Sequence, residues 1–309
     1  METSSPFSPR SPQALAISNL LVVSLIISAL VFALVLGLVL YVVVRYRQRP
    51  GQGEPRQVSS NTKLEIAWTV APTVLLAGVF VASFITMRSV DPPANRQPDI
   101  IVTGHQWWWQ VEYPKSGVVT ANEIHVPTGR QLLFQLNAAD VIHDFWVPQM
   151  GPKRDMIPGK PNYIWLAADK PGVYSGACAE FCGLQHAWML IRVVAQPPAE
   201  FDAWLRQEQT AAAAPAGGDA ARGARLFQSM TCANCHAIQG TAAKAQAGPA
   251  LSHLASRQTL GAGVMQHTPE NLAKWITNPQ QIKPGAQMPG YNLADADLRA
   301  LVAYLETLK

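Results

Sequence analysis

The stretch CAEFCGLQHAWM, from Cys178 to Met189, carries two cysteines, a histidine and a methionine within twelve residues. The only other cysteines of the chain lie in CANCH, from Cys232 to His236. Four thiols could form disulfides, bind zinc or hold a redox metal. The two motifs therefore have to be interpreted together.

The CANCH motif has the spacing C-x-x-C-H, which is typical of covalent haem c attachment. Cys232 and Cys235 would add to the haem vinyl groups, and His236 would become the proximal iron ligand. A thioredoxin-type redox pair is the competing interpretation, but the histidine and the helical pattern around the motif oppose it. A zinc site would need a second ligand pair nearby.

The distal haem ligand is predicted to be a methionine, because a thioether raises the haem potential and suits an electron carrier. Met288 is the preferred candidate, since the glycines and prolines of KPGAQMPGY place it on a loop. Met265 and Met230 are the alternatives, and a core position is the structural interpretation of Met288.

With CANCH assigned to haem, Cys178 and Cys182 remain, and residues four apart would close only a strained disulfide ring. Soft thiolate and thioether ligands beside imidazole favour copper. His186 and Met189 follow at short spacing, and His143 in VIHDFWVP would supply a second imidazole. Two bridging thiolates would let two coppers share one electron, so that each metal changes its geometry little.

Two long apolar runs predict membrane spans. No charged residue lies between Arg10 and Arg45, and Leu15 to Val44 is almost wholly apolar. Ile66 to Met87 is a second uncharged run, and about 20 such residues are enough to cross a bilayer. A cleaved signal peptide is the alternative for the first run, but its length and the RYRQRP that follows oppose it.

Positive charge dominates the loop between the two runs, which predicts that this loop is cytoplasmic. Both chain ends and both redox motifs would then lie on the outer side of the membrane. The net charge of +4 and the lack of a basic stripe give no reason to expect nucleic acid as a partner. The loop charges are Arg45, Arg47, Arg49, Arg56 and Lys63, against Glu54.

From Asp99 onward, short period-two runs bounded by Gly and Pro predict strands of an antiparallel sandwich or barrel. After AAAAPAGG, a flexible linker by composition that would let the last domain swing, the pattern is helical. Asp295 or Asp297 is expected to cap the final helix. The predicted ranges are an exported N-terminal segment 1–14, transmembrane helix 15–44, cytoplasmic loop 45–64, transmembrane helix 65–88, copper domain 96–197, helix and linker 198–217, and cytochrome domain 218–309.

These motifs together resemble subunit II of cytochrome c oxidase of the caa type, in which a cytochrome c domain is fused to the C-terminus. The resemblance covers nearly the whole chain and implies a location in a bacterial inner membrane, with both redox domains on the periplasmic side. It implies a multidomain membrane protein: a two-helix transmembrane hairpin, a cupredoxin-like Greek-key β-sandwich or barrel with a dinuclear copper centre (CuA), and a small all-α class I cytochrome c domain.

The implied function is that of the subunit through which electrons enter a proton-pumping haem-copper terminal oxidase. Electrons accepted through haem c would pass to CuA and on to the haems of subunit I, where O2 is reduced to water. Subunit I, subunit III and a cytochrome c or upstream complex are the implied partners. The O2-reducing site would lie on another subunit.

The resemblance also implies roles for individual residues around the copper centre. His143 and Met189 would complete one copper, and His186 with the backbone carbonyl of Glu180 the other, with Cys178 and Cys182 bridging. The Glu180 side chain would face a magnesium ion shared with subunit I.

Outside the copper loop, the resemblance implies that electrons arrive through Trp107 and Trp108. The family commonly has Trp-Tyr-Trp here, and packing over the copper loop is the alternative role, expected for Trp109. Glu65 would lie at a proton-channel entrance or would only favour its helix N-terminus. Pro249 resembles the proline that packs beside the proximal histidine of small cytochromes.

Two other functions stay open at this point. One is a component of a nitrogen-oxide reductase that uses the same dicopper centre. The other is a copper-delivery or thiol-redox protein of the membrane surface, which would bind one labile copper and show no mixed-valence signal.

Overall fold

The computed structural model describes residues 5–54, 57–92 and 96–309. Arg56 of the predicted cytoplasmic loop and residues 1–4 of the predicted N-terminal segment lie outside the described residues. Two units can be distinguished by their internal contacts, 15–91 and the remainder of the chain, and each is considered by itself.

The unit 15–91 consists of two long helices, α1 (Pro12–Arg45, which begins shortly before the unit) and α2 (Thr62–Val90). Both are long and apolar enough to cross a membrane. α2 begins where the Asn61 side chain accepts the Leu64 N–H at 3.3 Å, and it continues through Pro72. Apolar side chains are exposed along both helices, which fits a lipid-facing surface.

The β domain contains two five-stranded sheets in the orders β3-β2-β1-β5-β8 and β4-β10-β9-β6-β7. Burial alternates along β1 and β9, as expected for strands with one face in a core. The strands are β1 Ile100–His105, β2 Trp108–Tyr113, β3 Val118–Ala121, β4 Glu123–Pro127, β5 Leu132–Ala138, β6 His143–Trp146, β7 Arg154–Met156, β8 Asn162–Leu166, β9 Gly172–Cys178 and β10 Leu190–Gln196.

Strand pairing departs in two places from the antiparallel arrangement expected from the sequence. β1 pairs with β5, and β4 with β10, in parallel, while the remaining pairs are antiparallel. A parallel pair requires a long connection, and the intervening strands supply one in each case. The largest fully buried side chains of this domain include Trp109, Phe134 and Phe145.

After the β domain, α3 (Pro198–Glu208) packs Trp204 against Tyr113, with ring centroids 5.2 Å apart, and stacks it on His125 at 4.1 Å. The C-terminal domain follows, with α4 Gly218–Ser229, α5 Pro269–Thr277, α6 Pro279–Ile282 and α7 Asp295–Leu305, and a short hairpin of β11 Thr259–Leu260 and β12 Met265–Gln266.

The main contact of the C-terminal domain is between α4 and α7. Gly223 lies so close to the Ala300 carbonyl that a Cβ there would collide with it, and Phe227 meets Tyr304 edge to face at 5.9 Å. The prediction that Asp295 or Asp297 caps α7 is wrong. Ala294 occupies the N-cap position without a side-chain hydrogen bond, and Asp295 and Asp297 lie inside the first turn.

The C-terminal domain packs against the β domain, whereas the linker composition had suggested a swinging domain. Ala262 is buried together with Trp108 and Ala121 of the β domain. The Leu190 N–H at the start of β10 donates to the Ala262 carbonyl at 3.2 Å. Backbone and apolar contacts thus join the two redox domains directly.

Candidate functional site

Three neighbouring strand ends bring the residues of the copper motif together. Cys178 ends β9 and pairs with Phe145 of β6, so that His143 at the start of β6 lies beside it. The Cys178 N–H donates to the Met189 carbonyl at 3.0 Å, just before β10 begins. The loop between them returns through a short 3₁₀ helix, His186–Trp188.

The sulfur and imidazole atoms of this cluster face one another at short range. The ligand atoms of His143, Cys178 and Cys182 lie within 4.8 Å of one another, and all three residues are buried. The distances are 3.9 Å from Cys178 Sγ to His143 Nδ1, 3.7 Å from Cys178 Sγ to Cys182 Sγ, 3.7 Å from Cys182 Sγ to His186 Nδ1, and 3.9 Å from Cys182 Sγ to Met189 Sδ.

These distances exclude a disulfide in this arrangement and suit a soft metal. A disulfide needs the two sulfurs about 2.05 Å apart, far less than the 3.7 Å observed between Cys178 and Cys182. Two atoms that each bind one metal at about 2.3 Å can be no more than about 4.6 Å apart, which every distance above satisfies. Thiolate, thioether and imidazole donors together fit copper.

The sulfurs of Cys178 and Cys182 lie within hydrogen-bond distance of each other, at 3.7 Å. This contact is the main cause that lowers the pKa of Cys178, to about 3, and the hydrogen bond to the His143 ring lowers it further. The same pairing, with burial, raises the pKa of Cys182 far above its ordinary value. A soft cation that displaces the thiol protons would gain two thiolate ligands.

Asp140 orients the ring of His143. No motif in the sequence indicated that Asp140 belongs to the site. Its Oδ1 lies 2.8 Å from His143 Nε2, which leaves Nδ1 of that ring facing Cys178. Burial opposes a charge on His143, but the hydrogen bonds to Cys178 and Asp140 outweigh it and raise its pKa. A carboxylate behind a ligating histidine is a recurrent feature of metal sites.

Glu180 is exposed in the copper loop, and its backbone carbonyl accepts from the Cys178 thiol at 3.2 Å. Glu65 lies in the first turn of α2, where its Oε1 accepts the Asn61 N–H at 3.3 Å. This contact favours the structural interpretation of Glu65, because a carboxylate at a helix N-terminus satisfies a free amide. The magnesium role of Glu180 stays a prediction.

The three consecutive tryptophans occupy different surroundings. Trp107 Nε1 donates to the Cys182 carbonyl at 2.9 Å, directly behind the copper cluster. Trp108 stacks on His105 at 4.2 Å. Trp109 is fully buried, donates to the Leu190 carbonyl at 3.0 Å and meets His143 edge to face at 6.0 Å.

A cavity of about 270 Å³ lies beside the CANCH motif. Cys232, Cys235, His236 and Met288 line it, and Trp107 and Trp108 of the β domain form part of the same wall. Met230 and Met265 are not among the described residues that line it.

The His236 ring is oriented for an iron ligand. Its Nδ1 hydrogen-bonds the Pro249 carbonyl at 2.8 Å, so Nε2 is left for a metal. A Cβ at Gly248 would meet the ring at 2.7 Å, so this position has to be glycine for the imidazole to lie there. Burial lowers the pKa of His236 and so favours the neutral ring that a metal needs. The residues fit a covalently bound haem.

Comparisons with known proteins are consistent with a copper site in the β domain and a haem site in the C-terminal domain. Family models match for the transmembrane domain of cytochrome c oxidase subunit II at residues 7–86, for its periplasmic domain at 115–196 and for cytochrome c at 220–309. A cytochrome c oxidase subunit 2 of Alkalihalophilus pseudofirmus is 38% identical over 97% of this chain and 90% of its own length. The chain belongs to the cytochrome c oxidase subunit II family. The subunit 2 of Bacillus subtilis is 33% identical over 87% of this chain and 82% of its own length.

Among solved structures, the periplasmic domain of subunit II of cytochrome oxidase from Bradyrhizobium japonicum is 33% identical with a TM-score of 0.36, covering 37% of this chain and 96% of that one. The family models and the relatives confirm the resemblance drawn from the sequence, and the observed helices and sheets confirm the predicted fold class. As a subunit II with a cytochrome c domain, the chain is a subunit of a haem-copper oxidase complex, which implies a subunit I. The matched domains imply copper of the CuA type and haem, and the apolar helices are consistent with a membrane anchor.

Proposed function

We propose that this chain is the subunit through which electrons enter a proton-pumping haem-copper terminal oxidase. When bound, the haem c accepts electrons that then pass to the dinuclear CuA centre and on to the haems of subunit I, where O2 is reduced to water. One observation carries the proposal. Trp107 lines the cavity of the haem motif and also donates to the carbonyl of Cys182 at 2.9 Å.

In this proposal Cys178 and Cys182 bridge two coppers. The fit of the cluster to a soft metal and the 3.7 Å separation of the two sulfurs support this assignment, because one metal can contact both sulfurs at that separation. His143 and Met189 complete one copper, and His186 with the Glu180 carbonyl the other.

At the second site Cys232 and Cys235 hold the haem covalently, and His236 and Met288 bind its iron. Pro249 acts through its carbonyl, which fixes the imidazole by a hydrogen bond at 2.8 Å. Trp107 and Trp108 form the wall between this site and the copper loop.

The membrane orientation follows from the loop between α1 and α2, whose described cations Arg45, Arg47, Arg49 and Lys63 favour the cytoplasmic side. Both termini and both redox domains then lie on the periplasmic side. Subunits I and III are the membrane partners, and a cytochrome c or an upstream complex is the donor. An exposed Glu180 carboxylate is available to a magnesium ion at the subunit I interface.

Spectra of the purified complex test the two sites together. We expect the optical bands of haem c and an EPR signal of one electron shared by two coppers. A copper-loaded, partly reduced sample without that signal would overturn the proposal in favour of copper delivery. Faster turnover of nitric oxide than of O2 would favour a nitrogen-oxide reductase component.

Replacing Trp107 by Phe tests the electron route, because it keeps a ring but removes the N–H that binds the Cys182 carbonyl. We expect O2 consumption with a reduced donor to fall about tenfold while the copper and haem spectra stay unchanged. Trp165→Phe, on β8, is the matched control. Equal rates for both variants would contradict a role for Trp107.

A further inference from the structure

A buried lysine of the cytochrome domain crosses the interface between the two redox domains. Lys283 follows α6 and is only 3% exposed. Its Nζ donates to the carbonyl of Gly261 in its own domain at 3.1 Å and to the carbonyl of Trp107 in the β domain at 3.0 Å. The residue also lines the cavity that contains the haem motif.

An ammonium group in this position is costly for the fold. Burial lowers the pKa of Lys283 to about 8, and within the described part of the chain no ion pair involves it. A buried charge without a charged partner destabilises the fold unless hydrogen bonds compensate for it. An apolar side chain of similar length would fill the same space at lower cost. The two carbonyls therefore explain the lysine better than packing does.

Lys283 holds one side of a tryptophan whose other side is held by the copper loop. Trp107 is bound at its carbonyl by Lys283 and at its indole N–H by the Cys182 carbonyl. The neighbouring Gln106 Nε2 donates to the same Cys182 carbonyl at 2.8 Å. A Cβ at Gly183 would come within 3.0 Å of the Trp107 ring, so the loop backbone closes tightly over it. Both redox sites thus contact Trp107 through hydrogen bonds at fixed positions.

We propose that Lys283 is a positioning residue for electron transfer between the two sites of this subunit, because its two hydrogen bonds fix Trp107 between the haem cavity and Cys182. The inference rests on the proposed function. The reaction concerned is the transfer of one electron from the haem iron, which is oxidised, to the copper pair, which is reduced. Lys283 gains and loses no proton in this step and acts only through Trp107.

Two other roles are conceivable for Lys283, and each predicts a different experimental result from the positioning role. If the ammonium group served as the counter-charge of a haem carboxylate, its removal would shift the reduction potential of the haem and would not loosen Trp107. If it only stabilised the cytochrome domain, its removal would lower haem incorporation and would leave the electron-transfer rate of the intact fraction unchanged.

The test uses the purified oxidase complex with Lys283→Met, which keeps the length of the stem without the charge, and Lys283→Arg, which keeps a charged donor. Lys274→Met, at an exposed lysine of α5, is the matched control. A ruthenium bipyridine complex excited by a light flash donates one electron to the haem, a sacrificial donor then reduces the oxidised ruthenium, and the reduction of copper is followed at its own absorption band. The haem potential and the hydrogen exchange of residues 106–108 are measured on the same samples.

We expect Lys283→Met to transfer electrons about tenfold more slowly, with faster exchange at residues 106–108 and an unchanged haem potential. Lys283→Arg should recover most of the rate, and Lys274→Met should match the unmodified complex. Should Lys283→Met fail to incorporate haem, Lys283→Gln serves for the same comparison, because its shorter neutral side chain does not reproduce both contacts.

An unchanged rate of electron transfer in Lys283→Met or Lys283→Gln overturns the positioning role. A slower rate that a shift in the haem potential fully explains overturns it as well. Failure of the proposed function looks different. In that case the unmodified complex itself lacks the shared-electron copper signal, or its haem is oxidised without reduction of copper.

Discussion

At the scale of single residues, one carboxylate connects the copper cluster to the tryptophan segment. Asp140 accepts from His143 at 2.8 Å through one oxygen and from the Gln106 N–H at 2.6 Å through the other. Burial opposes the charge of Asp140, but the hydrogen bonds from His143, Val141 and Gln106 together outweigh it and lower its pKa, which keeps it ionised. The residue therefore fixes both the proposed copper ligand His143 and the start of the proposed electron route.

Asp140→Asn is predicted to weaken copper binding about 10- to 100-fold, because the amide loses the charge that holds the His143 ring. Competition against a copper chelator on the purified protein measures the change. Asp169→Asn, at an exposed aspartate, is the control. Identical affinities for the two variants would show that His143 needs no support from Asp140.

The residues that the sequence revealed differ from those it concealed in how far away their partners lie. Cys178, Cys182 and His186 share one short motif, so their spacing alone indicates that they can bind a metal. Lys283 binds a carbonyl 176 residues earlier in the chain, and no local pattern marks it as buried. Asp140 is close in sequence to His143, but its contact with Gln106 depends on how β1 and β6 are placed.

At the scale of elements, the cytochrome domain depends on the close approach of α4 and α7. Gly223→Ala is predicted to destabilise this domain by about 1–3 kcal/mol, because the added methyl group would meet the Ala300 carbonyl. Thermal unfolding and the fraction of protein with attached haem report the effect. Gly217→Ala is the control, since a Cβ has open space there. Equal melting temperatures would mean that the helices can separate at little cost.

The start of β1 carries a charge cluster that predicts a pH dependence. Asp99, with its side chain 5% exposed, binds the Leu133 N–H of β5 at 3.1 Å and pairs with Arg96, Lys115 and Arg130. Burial opposes its charge, but the hydrogen bonds from Lys115 and Leu133 outweigh burial and lower its pKa. Its stabilising contribution is therefore complete above the unfolded pKa of about 4 and disappears as the pH falls through the lower folded value.

Asp99→Asn should accordingly lower the free energy of unfolding by about 1.5–3 kcal/mol near neutral pH, and the difference should shrink below about pH 4. Denaturant unfolding followed by tryptophan fluorescence across this range measures it. Asp202→Asn, on the exposed face of α3, should show neither effect. A difference that grows on acidification would contradict the assignment.

The type of most elements was predictable, although the β11–β12 hairpin in the helical C-terminal domain was not. The pairing of the strands and the first residues of the helices were harder to predict. Period-two runs identified strands, yet β1 and β5 run parallel because pairing depends on how strands between them cross over. An acidic residue near a helix start looks like a cap in sequence. The N-cap residue of α7 is Ala294 instead, and Asp297 forms an ion pair with Arg222 of α4.

At the scale of the whole molecule, a second buried charge holds the two redox domains together. Glu123 of β4 is 3% exposed, and its carboxylate accepts the Gln258 N–H at 3.1 Å and the Thr259 hydroxyl at 2.7 Å. Both donors belong to the cytochrome domain. Arg192 lies 3.6 Å from the same carboxylate. Lys283 of the cytochrome domain thus binds the β domain, and Glu123 of the β domain binds the cytochrome domain.

Glu123→Ala is predicted to loosen the cytochrome domain, since each donor left unpaired costs about 1–3 kcal/mol. We expect faster hydrogen exchange at residues 257–260 and faster proteolysis of the linker at 211–217. Glu200→Gln, at an exposed position of α3, is the control. Unchanged exchange at 257–260 would show that the apolar contacts alone suffice.

The packing of Trp107 and Trp108 beneath the cytochrome domain has a kinetic consequence. A soluble donor that had to collide with the copper loop would reduce it at a rate proportional to its own concentration. In the proposed function the immediate reductant is the haem of the same chain, held in a fixed pose, so reduction of copper would be first order and insensitive to dilution and salt. Only the earlier collision at the cytochrome surface keeps those dependences. Selectivity for an outside donor can therefore change through that surface while the copper loop stays the same.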